Sequence, residues 1–204
     1  MIFLRLCTIF VLFAAVVPAQ ADESAKLSAT IDAALNVIYL PDYAAYNLNQ
    51  KQAEVRKILE NNYDLEVVIR RSVSRNWNLL TVEQQVQVRN LIDRLIVKSF
   101  VEGLEGQARP VVLCGEVVEV TNKRIEIPVV INFAGGNSLN VLYRFGRLEK
   151  GWQIYDIVAE DISIVSNYRQ QFDDHFRKGN GAQLIEKLEK LLKQEDTDVS
   201  KIIL

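Results

Sequence analysis

The stretch RIEIPVVINF at residues 124–133, followed by AGGN at 134–137 and SLNVLYRF at 138–145, decides the fold. Ile125, Ile127, Val129, Ile131 and Phe133 alternate with Arg124, Glu126, Pro128, Val130 and Asn132. A period of two marks a strand with one buried face. Leu139, Val141, Tyr143 and Phe145 repeat the pattern, and Ala134-Gly135-Gly136-Asn137 between the two runs is a hairpin signal. Working outward, Val111 to Val120 reads as a strand before this pair and Trp152 to Val158 as one after it. Asn122-Lys123 and Lys150-Gly151 supply the short links, so about four consecutive strands form a twisted antiparallel meander across residues 110–158.

On both sides of the sheet the period changes to that of helices. Leu27, Ile31, Leu35 and Ile38 recur at three- and four-residue steps, and Pro41 stops that helix. A second helix is expected from Asn49 to Glu60, burying Val55, Ile58 and Leu59, and a third from Leu65 to Val73 with Asp64 as N-cap. Thr81 with Gln84 is a capping-box pattern opening the longest helix, to about Leu104, whose apolar stripe includes Val88, Leu91, Ile92, Leu95, Ile96 and Phe100. After the sheet, Ile164, Val165, Tyr168, Phe172 and Phe176 give a helix with an aromatic face. Gly179 to Gly181 breaks it, and Leu184, Ile185, Leu188, Leu191 and Leu192 mark a last amphipathic helix. The whole reads as an α+β domain over 22–194: a helical block at 24–108, the sheet at 110–158, and C-terminal helices at 162–194 packed with the block on the sheet. Residues 195–204 read as a loose charged tail.

The N-terminus carries an address. Arg5, an apolar run from Leu6 to Val17 broken only by Thr8, and Pro18-Ala19-Gln20-Ala21 follow the order of a secretory signal cut after Ala21. The run is shorter than the roughly 20 residues a membrane span needs. Cys7 lies within it and no cysteine adjoins the cut, so the mature chain is expected free in solution rather than lipid-anchored. Cys114 is then the single remaining cysteine, which excludes an internal disulfide and suits a small buried apolar residue on a strand. The formal net charge of −2 lacks the basic stripe that a polyanionic partner calls for.

The search for catalytic chemistry is mostly negative. His175 is the only histidine, and no His, Cys, Asp or Glu cluster has metal-ligand spacing. Phosphate-loop, dinucleotide and nucleophile-elbow motifs are absent. Glu160-Asp161 and Asp173-Asp174 are adjacent acids that point different ways, and Asp161 or Ser163 reads as the N-cap of the helix that follows. Asp156 is placed by alternation on one face with Trp152 and Ile154, where a carboxylate needs a partner such as Arg144, Arg147 or Tyr168. A structural tether and a general base both remain open for it.

The segments WQIYDI (152–157), EDIS (160–163) and VSNYRQQF (165–172) resemble the signature of the MlaC or toluene-tolerance family. Tyr63-Asp64-Leu65, Asn76-Trp77 and TVEQQ (81–85) resemble its earlier helical block, and Gly181, Leu184 and Leu188 its terminal helix. Two positions depart: Asp161 and Ser74 stand where the family usually has glycine. The resemblance implies a nuclear-transport-factor-like sheet with flanking helices around an apolar cavity for acyl chains. It implies a periplasmic phospholipid carrier without a cofactor, shuttling between an outer-membrane lipoprotein complex and an inner-membrane ABC transporter.

Exposed acyl chains cost about 25 cal/mol per Å² in water, so a carrier must supply an apolar lining. Ile127, Val129, Ile131, Val141, Tyr143 and Phe145 are candidates on the sheet, with Val88, Leu91 and Leu95 on the opposite side. Arg147, Tyr168 and Arg169 are candidates for headgroup contacts at the mouth. Periodicity alone fits a solid core equally well. Two other functions stay in view: an enzyme on the same fold using Asp156 with Tyr168 or Tyr143, and an envelope interaction module without a ligand.

Overall fold

The computed structural model describes residues 21–194; the signal at 1–21 therefore lies outside it but for Ala21, as does the tail at 195–204. Four helices come first: α1 (Ala21–Tyr39), α2 (Leu48–Asn62), α3 (Leu65–Val73) and α4 (Val82–Leu104). Six strands follow: β1 (Val111–Cys114), β2 (Val118–Thr121), β3 (Arg124–Asn132), β4 (Ser138–Leu148), β5 (Gly151–Ala159) and β6 (Ile162–Ser163). Then come α5 (Ile164–Phe176) and α6 (Gly181–Lys193). The expected caps form. Asp64 accepts from the Glu66 N–H, and Thr81 and Gln84 close a reciprocal capping box. At α5 the cap is Ser163, whose hydroxyl accepts from the Ser166 N–H.

The sheet is antiparallel throughout, in the order β1-β3-β4-β5-β6, with β2 also on β3. It has six strands where four are expected. The run from Val111 to Val120 splits because Pro128 stands opposite its middle. The Gly115 N–H donates to the Pro128 carbonyl at 2.7 Å, and a Cβ on Gly115 would lie 2.8 Å from Pro128 Cγ. Proline has no N–H to return toward that side, so the ladder breaks into β1 and β2 while the β4 side stays paired. The sixth strand comes from a tight turn at Glu160-Asp161, which folds Ile162–Ser163 back on β5.

Three apolar clusters hold the layers together. Ile125, Ile127, Val129, Val141, Phe145 and Ile154 on one sheet face pack with Leu27 of α1 and with Tyr63. A helical cluster joins Ile69 and Val73 of α3, Trp77, Val88, Leu91 and Leu95 of α4, Phe172 of α5, and Leu184 and Leu188 of α6. Ala34, Val37, Val55, Val97 and Val101 form the third, between α1, α2 and α4. Gly181 lets α6 start against α4, since a Cβ there would meet Gln84 Oε1 at 2.5 Å and Leu80 Cδ2 at 2.7 Å. The short helix α3 separates the first two clusters, with Ile69 and Val73 in the helical one and Val68 packed on the sheet.

Candidate functional site

Where the sheet and helical clusters part there is a cavity of about 520 Å³. That lies in the range of about 300–1,000 Å³ usual for ligand pockets. Lys26 of α1, the α2–α3 corner from Glu60 to Glu66, Ile69 of α3, Arg89 and Asp93 of α4, and Lys150 and Gln153 near the start of β5 line it. Two of these side chains belong to different cores: Tyr63 to the sheet cluster and Ile69 to the helical one. The cavity is thus the seam between two apolar masses, edged by charge.

Each charged group is positioned by a neighbour. The Asp64 N–H donates to Gln153 Oε1 at 2.7 Å, which ties the start of α3 to β5. Lys150 Nζ donates to Asp64 Oδ2 at 2.9 Å, and that bond holds the lysine above its ordinary pKa. Arg89 pairs with Glu66 at 3.3 Å. Asp93 is buried and pairs with Arg56; burial pushes its carboxyl up, and the guanidinium opposes that rise. Lys26 Nζ lies 4.5 Å over the centre of the Tyr63 ring, and that ring is tilted against Phe145 at 5.8 Å. Burial first, and the nearby Glu23 second, push the Tyr63 hydroxyl far up, so it keeps its proton at any physiological pH. Three cations and four carboxylates, those of Glu60, Asp64, Glu66 and Asp93, therefore stand around a cavity to which Tyr63, Leu65 and Ile69 add apolar surface. An anionic group could enter there by taking Lys150 from Asp64 or Arg89 from Glu66, beside a small apolar patch.

Ile127, Val129, Ile131, Val141, Tyr143 and Phe145 are brought together on the sheet face. Val88, Leu91 and Leu95 are not with them: α4 turns that stripe toward α5 and α6. Arg147 lies over Trp152 at 6.0 Å, Tyr168 packs on the helical cluster, and Arg169 donates to the Arg71 carbonyl at the end of α3. None of those three lines the cavity, and neither do the sheet-face residues or Val88, Leu91 and Leu95. Lys26, Arg89 and Lys150 escaped sequence reasoning because they sit on three separate elements with no shared spacing. The faint signal was Tyr63-Asp64, already part of the family resemblance.

Asp156 corrects the alternation. Arg144 pairs with Asp156 but Phe145 pairs with Ile154, so Tyr155 is an extra residue in a β-bulge. The bulge moves Asp156 off the face of Trp152 and Ile154. Its carboxylate is buried and accepts from the Val165 N–H at 3.2 Å, the Ser163 hydroxyl at 2.8 Å and Arg144 at 3.3 Å. This anion at the start of α5 takes the place expected for Asp161, which instead occupies the β5–β6 turn. Tyr143 stands on the opposite sheet face, and burial pushes its hydroxyl up to about 12. His175 Nε2 lies 3.0 Å from the Asn180 carbonyl oxygen. Among the described residues no group of His, Cys, Asp and Glu is placed to hold a metal ion, and no helix is long and apolar enough to cross a membrane.

The family model described as MlaC protein matches residues 28–190, which runs from within α1 to within α6. The chain belongs to the MlaC family. A search of curated proteins finds no match. Among solved structures, one similar in fold is the phospholipid-binding protein of Ralstonia solanacearum in complex with a phospholipid. Its TM-score is 0.72 at 21% identity, covering 83% of this chain and 96% of that one. The matched range includes both the Tyr63-Asp64 corner and the Asp156-anchored start of α5.

Proposed function

We propose that this protein is a periplasmic phospholipid carrier. It takes up lipid from one membrane complex, an outer-membrane lipoprotein assembly or an inner-membrane ABC transporter, and gives it to the other. The observation that carries the reading is the charged cavity at the seam of two apolar clusters, in a chain of the MlaC family. The phospholipid held by the Ralstonia solanacearum protein of the same fold supports it.

In this reading the phosphate meets Lys26, Arg89 and Lys150, and the acyl chains insert beneath Tyr63 against Ile127, Val129, Val141 and Phe145. Burial of the chains supplies the binding energy, at about 25 cal/mol per Å². Separation of α3 from β5 opens the path, since only Val68 of that helix packs on the sheet cluster while Ile69 and Val73 hold it to the other. Binding is favoured over catalysis because Asp156, the one candidate base, is committed to Arg144, Ser163 and α5.

Native mass spectrometry of protein secreted by its own signal and purified without detergent tests this. A mass increment of one phospholipid, lost on detergent stripping and regained from vesicles, is the expected result. A bare mass that takes up no phospholipid from vesicles would overturn the proposal.

A further inference from the structure

Away from the cavity, two guanidinium groups lie over one aromatic ring, and a third is bonded to the end of the helix that carries one of them. Arg71 of α3 lies with Cζ 4.9 Å from the centre of the Tyr155 ring, and Arg124 of β3 lies 5.9 Å from it. Arg169 of α5 donates to the Arg71 main-chain carbonyl through Nη2 at 3.2 Å, which fixes the third group against the last turn of α3. Neighbouring arginines are neutralised, Arg75 by Asp173 and Arg144 by Glu126 and Asp156. Arg71, Arg124 and Arg169 take part in no ion pair among the described residues. Tyr155 follows Ile154 on β5 and so stands on the opposite sheet face, which is also the face of Arg124.

From this geometry we infer that the Arg71–Tyr155–Arg124 platform with Arg169 is a docking surface for a carboxylate-rich segment of a partner protein. A guanidinium stacked on an aromatic ring or held by a carbonyl has lost much of its freedom, and its planar fork matches a carboxylate in a bidentate pair. An anionic membrane surface fits less well. Such surfaces are met by clusters of about 4–8 basic residues, whereas three gather here on a chain of net charge −2. The inference stands on these charges alone and is separate from the lipid reading.

Fluorescence anisotropy of a labelled oligoglutamate peptide against the purified full chain tests it. Binding is expected at low salt and should weaken as salt rises. The triple variant Arg71→Gln/Arg124→Gln/Arg169→Gln should lose at least about tenfold in affinity, as charge-assisted forks are removed. Lys187→Gln on α6 should change nothing. If the triple variant does not fold, Arg124→Gln alone serves, because that residue is exposed and its side chain donates no hydrogen bond among the described residues; it should lose several-fold. Arg124→Lys, which keeps the charge and loses the fork, should fall between. Equal affinity for wild type and variants overturns the inference. So does binding to phosphatidylglycerol vesicles without binding to the peptide, which would assign the surface to a membrane.

Discussion

The β3–β4 ladder and the seam of β5 with α3 and α5 are built on opposite plans. From Arg124↔Gly146 to Asn132↔Ser138, β3 and β4 pair without a register shift, so each inward side chain follows from its place in the alternation. Along the seam almost nothing is regular. β5 carries the bulge at Tyr155, its end turns through Glu160 and Asp161 at positive φ, and α3 ends on Ser74 at φ 54° and ψ −129°. The ladder is held by apolar packing. The seam is held by a few specific hydrogen bonds: Gln153 to Asp64, Asp156 to Val165, Arg169 to Arg71. The cavity and the arginine platform both border the seam, and its bulge turns Asp156 to a face that a uniform strand would not offer.

The largest effect is expected where the ladder is broken. Phe145 is fully buried against Tyr63, and Phe145→Ala should lower unfolding free energy by about 3–5 kcal/mol by urea titration. A loss below about 1 kcal/mol would mean that the sheet face is already poorly filled, and would sharpen the carrier reading by showing space there.

Asp156→Ala attacks the seam instead. It leaves the Val165 N–H without its acceptor and Arg144 with only Glu126, at an expected cost of about 2–3 kcal/mol. The loss should be local: amide exchange at Val165 and Ser166 should quicken well before that of β3 and β4. Asp156→Asn keeps an acceptor and should recover part of the stability. Uniform exchange across the protein would show that ladder and seam unfold as one unit.

The same contrast explains what could be read from the sequence. The helices, their caps and the β3–β4 hairpin were legible because periods of two and 3.6 persist over many residues. The division of Val111 to Val120 hangs on a single pairing, Gly115 opposite Pro128, which acquires meaning only once β1 and β3 are adjacent. The face of Asp156 hangs on one inserted residue, and alternation carries no sign of an insertion. The cavity cations lie on α1, α4 and the β4–β5 turn, so no local pattern joins them. Of the candidate lining, the sheet residues keep one face while Val88, Leu91 and Leu95 face the last two helices, a choice between neighbours that an amphipathic stripe does not encode.

A gain rather than a loss is expected at Ser74. With φ 54° and ψ −129° it lies outside the regions open to a residue with a Cβ, a strain of order 1–3 kcal/mol. Glycine relieves it and gives back up to about 1 kcal/mol in backbone entropy. Ser74→Gly should therefore raise the denaturation midpoint by the equivalent of about 1 kcal/mol, with an unchanged slope. It is also one of the two positions where the resemblance leads one to expect glycine.

The second of those positions should respond far less, and the reason is conformational. Asp161 has φ 64° in a two-residue hairpin turn, the left-handed region that aspartate tolerates better than most residues. Its turn partner Glu160, at φ 45°, is held by accepting from the Asn140 N–H at 2.7 Å and donating its own N–H to the Asn140 carbonyl at 3.0 Å. The turn is thus already fixed from its first residue. Asp161→Gly relieves little strain and adds freedom to the unfolded chain, so the two terms nearly cancel, within about 0.5 kcal/mol. A gain as large as that of Ser74→Gly would mean that the β5–β6 turn is as strained as the end of α3. The seam would then store its strain after β5 as well as at the end of α3.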